Sequence, residues 1–169
     1  MSLSNEASYD AMHGFWQSHW SATEFEKEYQ TNFYPRRQEE FKAIINQLPG
    51  GELVLEAGCS FGHVAEYFRE LGYRVVGLDY VFDSLGVGHQ KAPKLTLTQG
   101  DIHALPFRNN SVGAYLSFGV LEHFEFGPMP ALREAFRVLK YLRRAMQCYH
   151  RGIGVRHAGG LDRLPVRPA

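Results

Sequence analysis

Apolar positions along the chain change period partway through. Phe25, Tyr29 and Phe33 stand four apart, and Phe41, Ile44, Ile45 and Leu48 recur at helical spacing after Pro35. Both patterns predict helices ahead of the break at Pro49-Gly50-Gly51. Beyond it, short apolar runs alternate with amphipathic ones. LVLEAG (53–58) reads as a strand, and 62–71 as a helix with Val64, Ala65 and Phe68 inward, closed by Gly72. RVVGLDY (74–80) is a second strand, 81–91 a short helix weakened by two glycines, KLTLTQGD (94–101) a third strand and SVGAYLSFG (111–119) a fourth. A helix is expected over 129–142, with Leu132, Phe136 and Leu139 as its apolar face.

Strands alternating with helices predict a doubly wound α/β fold with a mostly parallel, Rossmann-like sheet. Ligands of such folds bind beyond the carboxyl ends of the strands. Glu56, Asp79 and Asp101 each fall at one of those ends, so three acids are expected around one crevice.

Composition adds little until it is divided. The formal net charge is zero, which argues against nucleic acid or an acidic membrane surface as partner. Residues 1–140 nevertheless hold 12 Lys/Arg against 17 Asp/Glu, whereas residues 141–169 hold six Arg against Asp162 alone. The two cysteines make no disulfide framework. With no secretory pattern at the start and no apolar run near 20 residues, a cytoplasmic protein without a membrane anchor is expected. The eight histidines show no metal-ligand spacing, so no metal is expected.

The turn after the first strand narrows the ligand. Gly58-Cys59-Ser60-Phe61-Gly62 opens a helix whose first N–H groups are available, but it lacks the G-x-G-x-x-G spacing of a pyrophosphate turn. Glu56 beside it suits a cation. Asp79, 17 residues after Gly62, is placed to accept from ribose hydroxyls, and Tyr80 to lie against a base. A ribose, a positive charge and no phosphate together describe S-adenosylmethionine. A nicotinamide-dependent oxidoreductase is the distant alternative.

The run VLEAGCSFG…VVGLDY…GDIHALPF…VGAYLSFGVLEHF…ALREAFRVLK resembles the class I S-adenosylmethionine-dependent methyltransferases of the small-molecule type, over roughly residues 35–140. The resemblance implies that the Glu56–Gly62 loop, with Gly58 and Gly62, wraps the methionine portion and that Asp79 holds the ribose. It implies that Asp101 and the backbone of Ile102 read the adenine edge, and that Ser117 and Phe118 line the methionine side. Ser60 stands where the family usually has a glycine, a modest penalty unless the position needs positive φ.

The resemblance also implies a Pro-Gly-Gly turn and further strands after Lys140. The chain instead reads YLRRAMQCYHRGIGVRHAGGLDRLPVRPA, in which Arg, Gly and Pro supply 12 of 29 residues. The sequence thus predicts a helical, aromatic cap over 1–34, an α/β domain over 35–142, a disordered tail over 143–169, and a family fold truncated of its C-terminal strands. Methyl transfer to a small-molecule acceptor is the expected activity, and a catalytically inactive cofactor-binding remnant is the alternative. Alignment of donor and acceptor does much of the work. His123 in LEH is the first candidate base, followed by Glu122, Tyr34 and His19. The aromatic N-terminal stretch forms either a lid and acceptor wall or a simple cover for the sheet.

Overall fold

The structure, a computed structural model, describes residues 5–29, 48, 50–124, 127–140, 146–150 and 153–156. The helix expected after Pro35 lies outside them except for Leu48, which packs on the core. Helix α1 spans Asn5–Ala22 and α2 the short turn Phe25–Glu28. Then follow β1 (Leu53–Ala57), α3 (His63–Glu70), β2 (Arg74–Asp79), α4 (Phe82–Lys91), β3 (Thr96–Gln99), β4 (Ala114–Phe118) and α5 (Met129–Val138), with a 3-10 turn at Leu121–His123. Among the described residues, no helix is long and apolar enough to cross a membrane.

Two further strands, β5 (Met146–His150) and β6 (Ile153–Arg156), complete a sheet of order β3-β2-β1-β4-β5-β6, so β1 is flanked on both sides and the connections cross over it. β1 pairs in parallel with β2 and with β4, and β2 with β3. This is the doubly wound arrangement the alternating pattern predicts. It also explains why β1 is apolar at successive positions rather than alternate ones. Val54 packs on one face with Phe68 and Leu116, Leu55 on the other with Tyr115 and Val138, and both are fully buried. Gly72 follows α3 with φ +90°, the left-handed residue its C-terminus was expected to need.

One expectation is corrected. Helix α5 stops at Val138 because Leu139 bridges to Val112 and the Lys140 N–H donates to the Val112 carbonyl at 2.8 Å. Its buried face is Ala131, Ala135 and Val138, not Leu132 and Phe136. Small residues let the helix approach the sheet closely, and the larger ones stay partly exposed at its flanks. Two short strands follow Lys140. β5 runs parallel to β4, and β6 antiparallel to β5. An open strand edge offers a row of backbone donors and acceptors that any extended segment satisfies, so composition alone does not forbid pairing there. The fourth strand is therefore not left as an edge. Of the segment expected to be disordered, these nine residues are strands, and the rest lie outside the described residues.

Helix α5 also fixes the loop after β3. The Glu134 carboxylate accepts the Leu105 N–H at 2.8 Å, while Arg137 donates to the carbonyls of Leu105 and Phe107 and to Asn109 Oδ1 at 2.8–2.9 Å. A planar guanidinium with fixed donors suits this clamp. Arg137 and Glu134 also bind each other, at 2.6 and 2.7 Å. The pairing holds the Glu134 carboxyl below its ordinary range.

Candidate functional site

A cavity of about 210 Å³ opens beyond the carboxyl ends of the parallel strands, where the fold class places a ligand. Glu56, Gly58, Asp79, Tyr80, Asp101, Ile102, Phe118 and His123 all line it, so eight of the ten residues singled out from sequence meet there. Gly62 and Ser117 do not. Gly62 caps α3 with φ +80°, and a Cβ on it would lie 2.7 Å from the Leu95 side chain, so its role is conformational. The Ser117 hydroxyl is buried and donates to the Ala57 carbonyl at 3.0 Å, tying β4 to β1. Of the other candidate bases, Glu122 and His19 are exposed and absent from the lining, and Tyr34 lies outside the described residues.

The three acids differ in how they are held. Glu56 is 3% exposed, and its carboxylate accepts the Ala65 N–H in the first turn of α3 at 2.7 Å. An anion at that helix end is favoured by the orphan N–H groups there. Asp79 accepts from Ser60 N–H at 2.7 Å through one oxygen and from Val81 N–H at 2.9 Å through the other. Burial nevertheless pushes its carboxyl above the ordinary value, the backbone N–H groups pulling the other way. Asp101 is more open and binds His103 twice, through the backbone N–H at 2.8 Å and ring Nδ1 at 2.9 Å.

The turn between β1 and α3 is folded back on β2: the N–H groups of Gly58 and Cys59 both donate to the Leu78 carbonyl, at 2.8 and 3.0 Å. Ser60 adopts φ +51°, so the position does need positive φ and serine is strained there. Its hydroxyl is cut off from solvent and has no hydrogen-bond partner among the described residues. Ser60→Gly is expected to stabilise the fold by about 0.5–1 kcal/mol, the relief of strain outweighing glycine's extra unfolded-state freedom. A melting temperature below the parent's refutes this. Cys59 is buried in the same turn. Burial, followed by Glu56 and Asp79, pushes its thiol well above the ordinary range, which leaves it a poor nucleophile.

Part of the lining comes from far away in the chain. Met12, His13, Trp16 and Trp20 of α1 line the cavity. The His13 ring meets Tyr80 edge-on at 4.6 Å, Trp16 meets His123 at 4.9 Å, and Trp20 meets Phe61 at 5.4 Å. His63, also on the cavity, is enclosed by Phe25 at 4.2 Å and Tyr29 at 5.1 Å. The aromatic N-terminal stretch was expected as a lid and acceptor wall or as a cover for the sheet, with no individual contact specified. His103 had no signal beyond its distance of two residues from Asp101.

A parallel sheet with a glycine turn after β1 and acids at three strand ends defines a Rossmann-like domain for a nucleoside-bearing cofactor. The methyltransferase domain family model matches residues 55–141, just over half of the chain, and the chain belongs to that family. A protein of Mycolicibacterium smegmatis named a probable S-adenosylmethionine-dependent methyltransferase is 34% identical over 111 residues, covering 64% of this chain and 42% of the relative. Demethylmenaquinone methyltransferase of Renibacterium salmoninarum is 37% identical over 91 residues, covering 53% and 38%. The chain thus spans about two fifths of the length of these relatives. A crystal structure from Pyrococcus horikoshii OT3 superposes with a TM-score of 0.62 at 20% identity, over 73% of this chain and 61% of the other, a likeness of fold.

Proposed function

We propose that the cavity binds S-adenosylmethionine and that the domain transfers its methyl group to a small-molecule acceptor. The observation that carries this reading is the convergence of Glu56, Asp79 and Asp101 on one cavity. The named relatives support the same cofactor.

The cofactor supplies a methyl carbon already activated by its sulfonium, so the protein has to bind, align and dry. In this reading Asp79 receives the ribose hydroxyls. Its two oxygens each hold one backbone N–H and keep further acceptor capacity. Asp101 and the Ile102 backbone take the adenine edge. Glu56 and Gly58 take the methionine end, with Phe118 beside them in place of Ser117. Met12, Trp16 and Trp20 of α1 supply apolar lining. His123, against Trp16, is the proposed proton acceptor where the acceptor loses a proton. A catalytically inactive cofactor-binding remnant, lacking the family's further C-terminal strands, is the alternative reading that the transfer assay below separates from this one. The α/β body and the aromatic cap remain our proposed division of the chain.

Calorimetric titration with S-adenosylhomocysteine tests the cofactor. Asp79→Ala should weaken that binding at least tenfold, since charge-assisted hydrogen bonds are worth about 1.5–3 kcal/mol each. It should also lower the melting temperature, because two buried N–H groups lose their acceptor. Equal affinity in variant and parent removes Asp79 from the site. Transfer of radiolabelled methyl to a small-molecule extract tests the activity itself.

A further inference from the structure

The cavity is lined by the strand-end acids and, from α1, by the apolar side chains of Met12, Trp16 and Trp20. Four carboxylates, those of Glu28, Glu56, Asp79 and Asp101, line the whole, and no lysine or arginine does among the described residues. Burial lowers the His63 ring to about 4, so it brings no positive charge at neutral pH.

We infer that the acceptor is an uncharged, ring-bearing apolar molecule, seated against Trp16 on the α1 wall. The inference rests on the cofactor reading above and adds the substrate class to it. An anionic acceptor would leave water for a cavity with four carboxylates and no guanidinium or ammonium to meet it, a desolvation cost without compensation. A cationic acceptor meets the opposite obstacle. The strand-end carboxylates already accept backbone N–H groups and, in this reading, serve a cofactor that brings its own positive charge next to the reacting atom. A second cation there is repelled. A neutral ring avoids both penalties and finds the edge and face of an indole, a favourable aromatic geometry. Exclusion of charged competitors is thus built into the walls rather than into one contact.

Trp16 and Trp20 are the chain's two tryptophans, and both line this cavity, so intrinsic fluorescence reports on the wall directly. The test titrates the full chain with three quenchers that share a nitrobenzene ring: neutral 4-nitroanisole, anionic 4-nitrobenzoate and cationic 4-nitrobenzylammonium. Each titration is run with and without saturating S-adenosylhomocysteine. Saturable quenching by the neutral congener is expected at concentrations at least tenfold below either charged one. Trp16→Ala should weaken that binding at least fivefold, read through Trp20, and Trp16→Phe should restore most of it. A charged congener that binds as tightly as the neutral one, or the lack of any saturable quenching, overturns the inference. So does unchanged affinity in Trp16→Ala. If S-adenosylhomocysteine fails to bind by calorimetry while the neutral preference persists, the cofactor reading falls and the neutral wall stands.

Discussion

Replacing Gly88 with alanine is expected to cost the domain about 3 kcal/mol, near the upper end for overpacking. Gly88 is a buried residue of α4, and a Cβ built on it would lie 2.2 Å from the Phe61 carbonyl oxygen and 2.9 Å from its carbon. Those are backbone atoms of the turn between β1 and α3, so no side-chain rotation relieves the clash. Either α4 retreats from the sheet or the turn carrying Ser60 moves, and both disturb the cavity. At Gly86 in the same helix a Cβ would meet nothing within 4 Å, so Gly86→Ala should instead add up to about 1 kcal/mol through helix propensity. Urea denaturation of the two variants measures the contrast. If Gly88→Ala loses no more than Gly86→Ala, the packing of α4 on the turn is wrong.

Acid should weaken the fold through His63 in a definite window. Burial is the chief cause that lowers its ring from 6.5 to about 4, Glu26 and the Phe25 backbone pulling the other way. The unfolded chain therefore binds a proton there that the native state refuses, and stability falls as pH drops from about 6.5 to about 4. The full penalty, at about 1.4 kcal/mol per pH unit, is about 3 kcal/mol, with almost none of it present above about pH 7. Asp79 works against this trend, because its raised carboxyl takes up a proton earlier in the folded state than in the unfolded one. His63→Phe fills the same enclosure between Phe25 and Tyr29 without a titrating ring. Thermal melts across the window from about pH 4 to about pH 7 should show a flatter profile for this variant, and an unaltered slope would falsify the assignment.

Much of the sheet was legible because β1, β2 and β4 announce themselves as unbroken apolar runs and α3 by a clean helical face. The acids at 56, 79 and 101 followed once the connections were parallel, since topology alone sends strand ends to one rim. What was not legible has physical causes. On α5, hydrophobicity favoured Leu132 and Phe136, but close approach to the sheet favoured Ala131 and Ala135, and only packing distinguishes these. Ser60 looked tolerable by size, and its positive φ belongs to the fold of the turn rather than to the residue. The α1 wall joins residues separated by more than a hundred positions, such as Trp16 and His123, which no local period encodes. The pairing of β5 depends on the open edge of β4, a property of another strand.

The order of the strands has a consequence for how such a domain diversifies. Glu56, Asp79 and Asp101 belong to β1, β2 and the end of β3, on one flank, whereas everything described after Lys140 joins the other, beyond β4. Because Arg137 and Glu134 secure the loop bearing Asp101 from a helix that ends before that junction, the donor flank carries its own fastening. Recombination past Lys140 would exchange β5 and β6 and leave the backbone register of the donor flank intact. Chimaeras joined at that point, with foreign C-terminal strands grafted onto β4, should thus keep every described residue that lines the cavity.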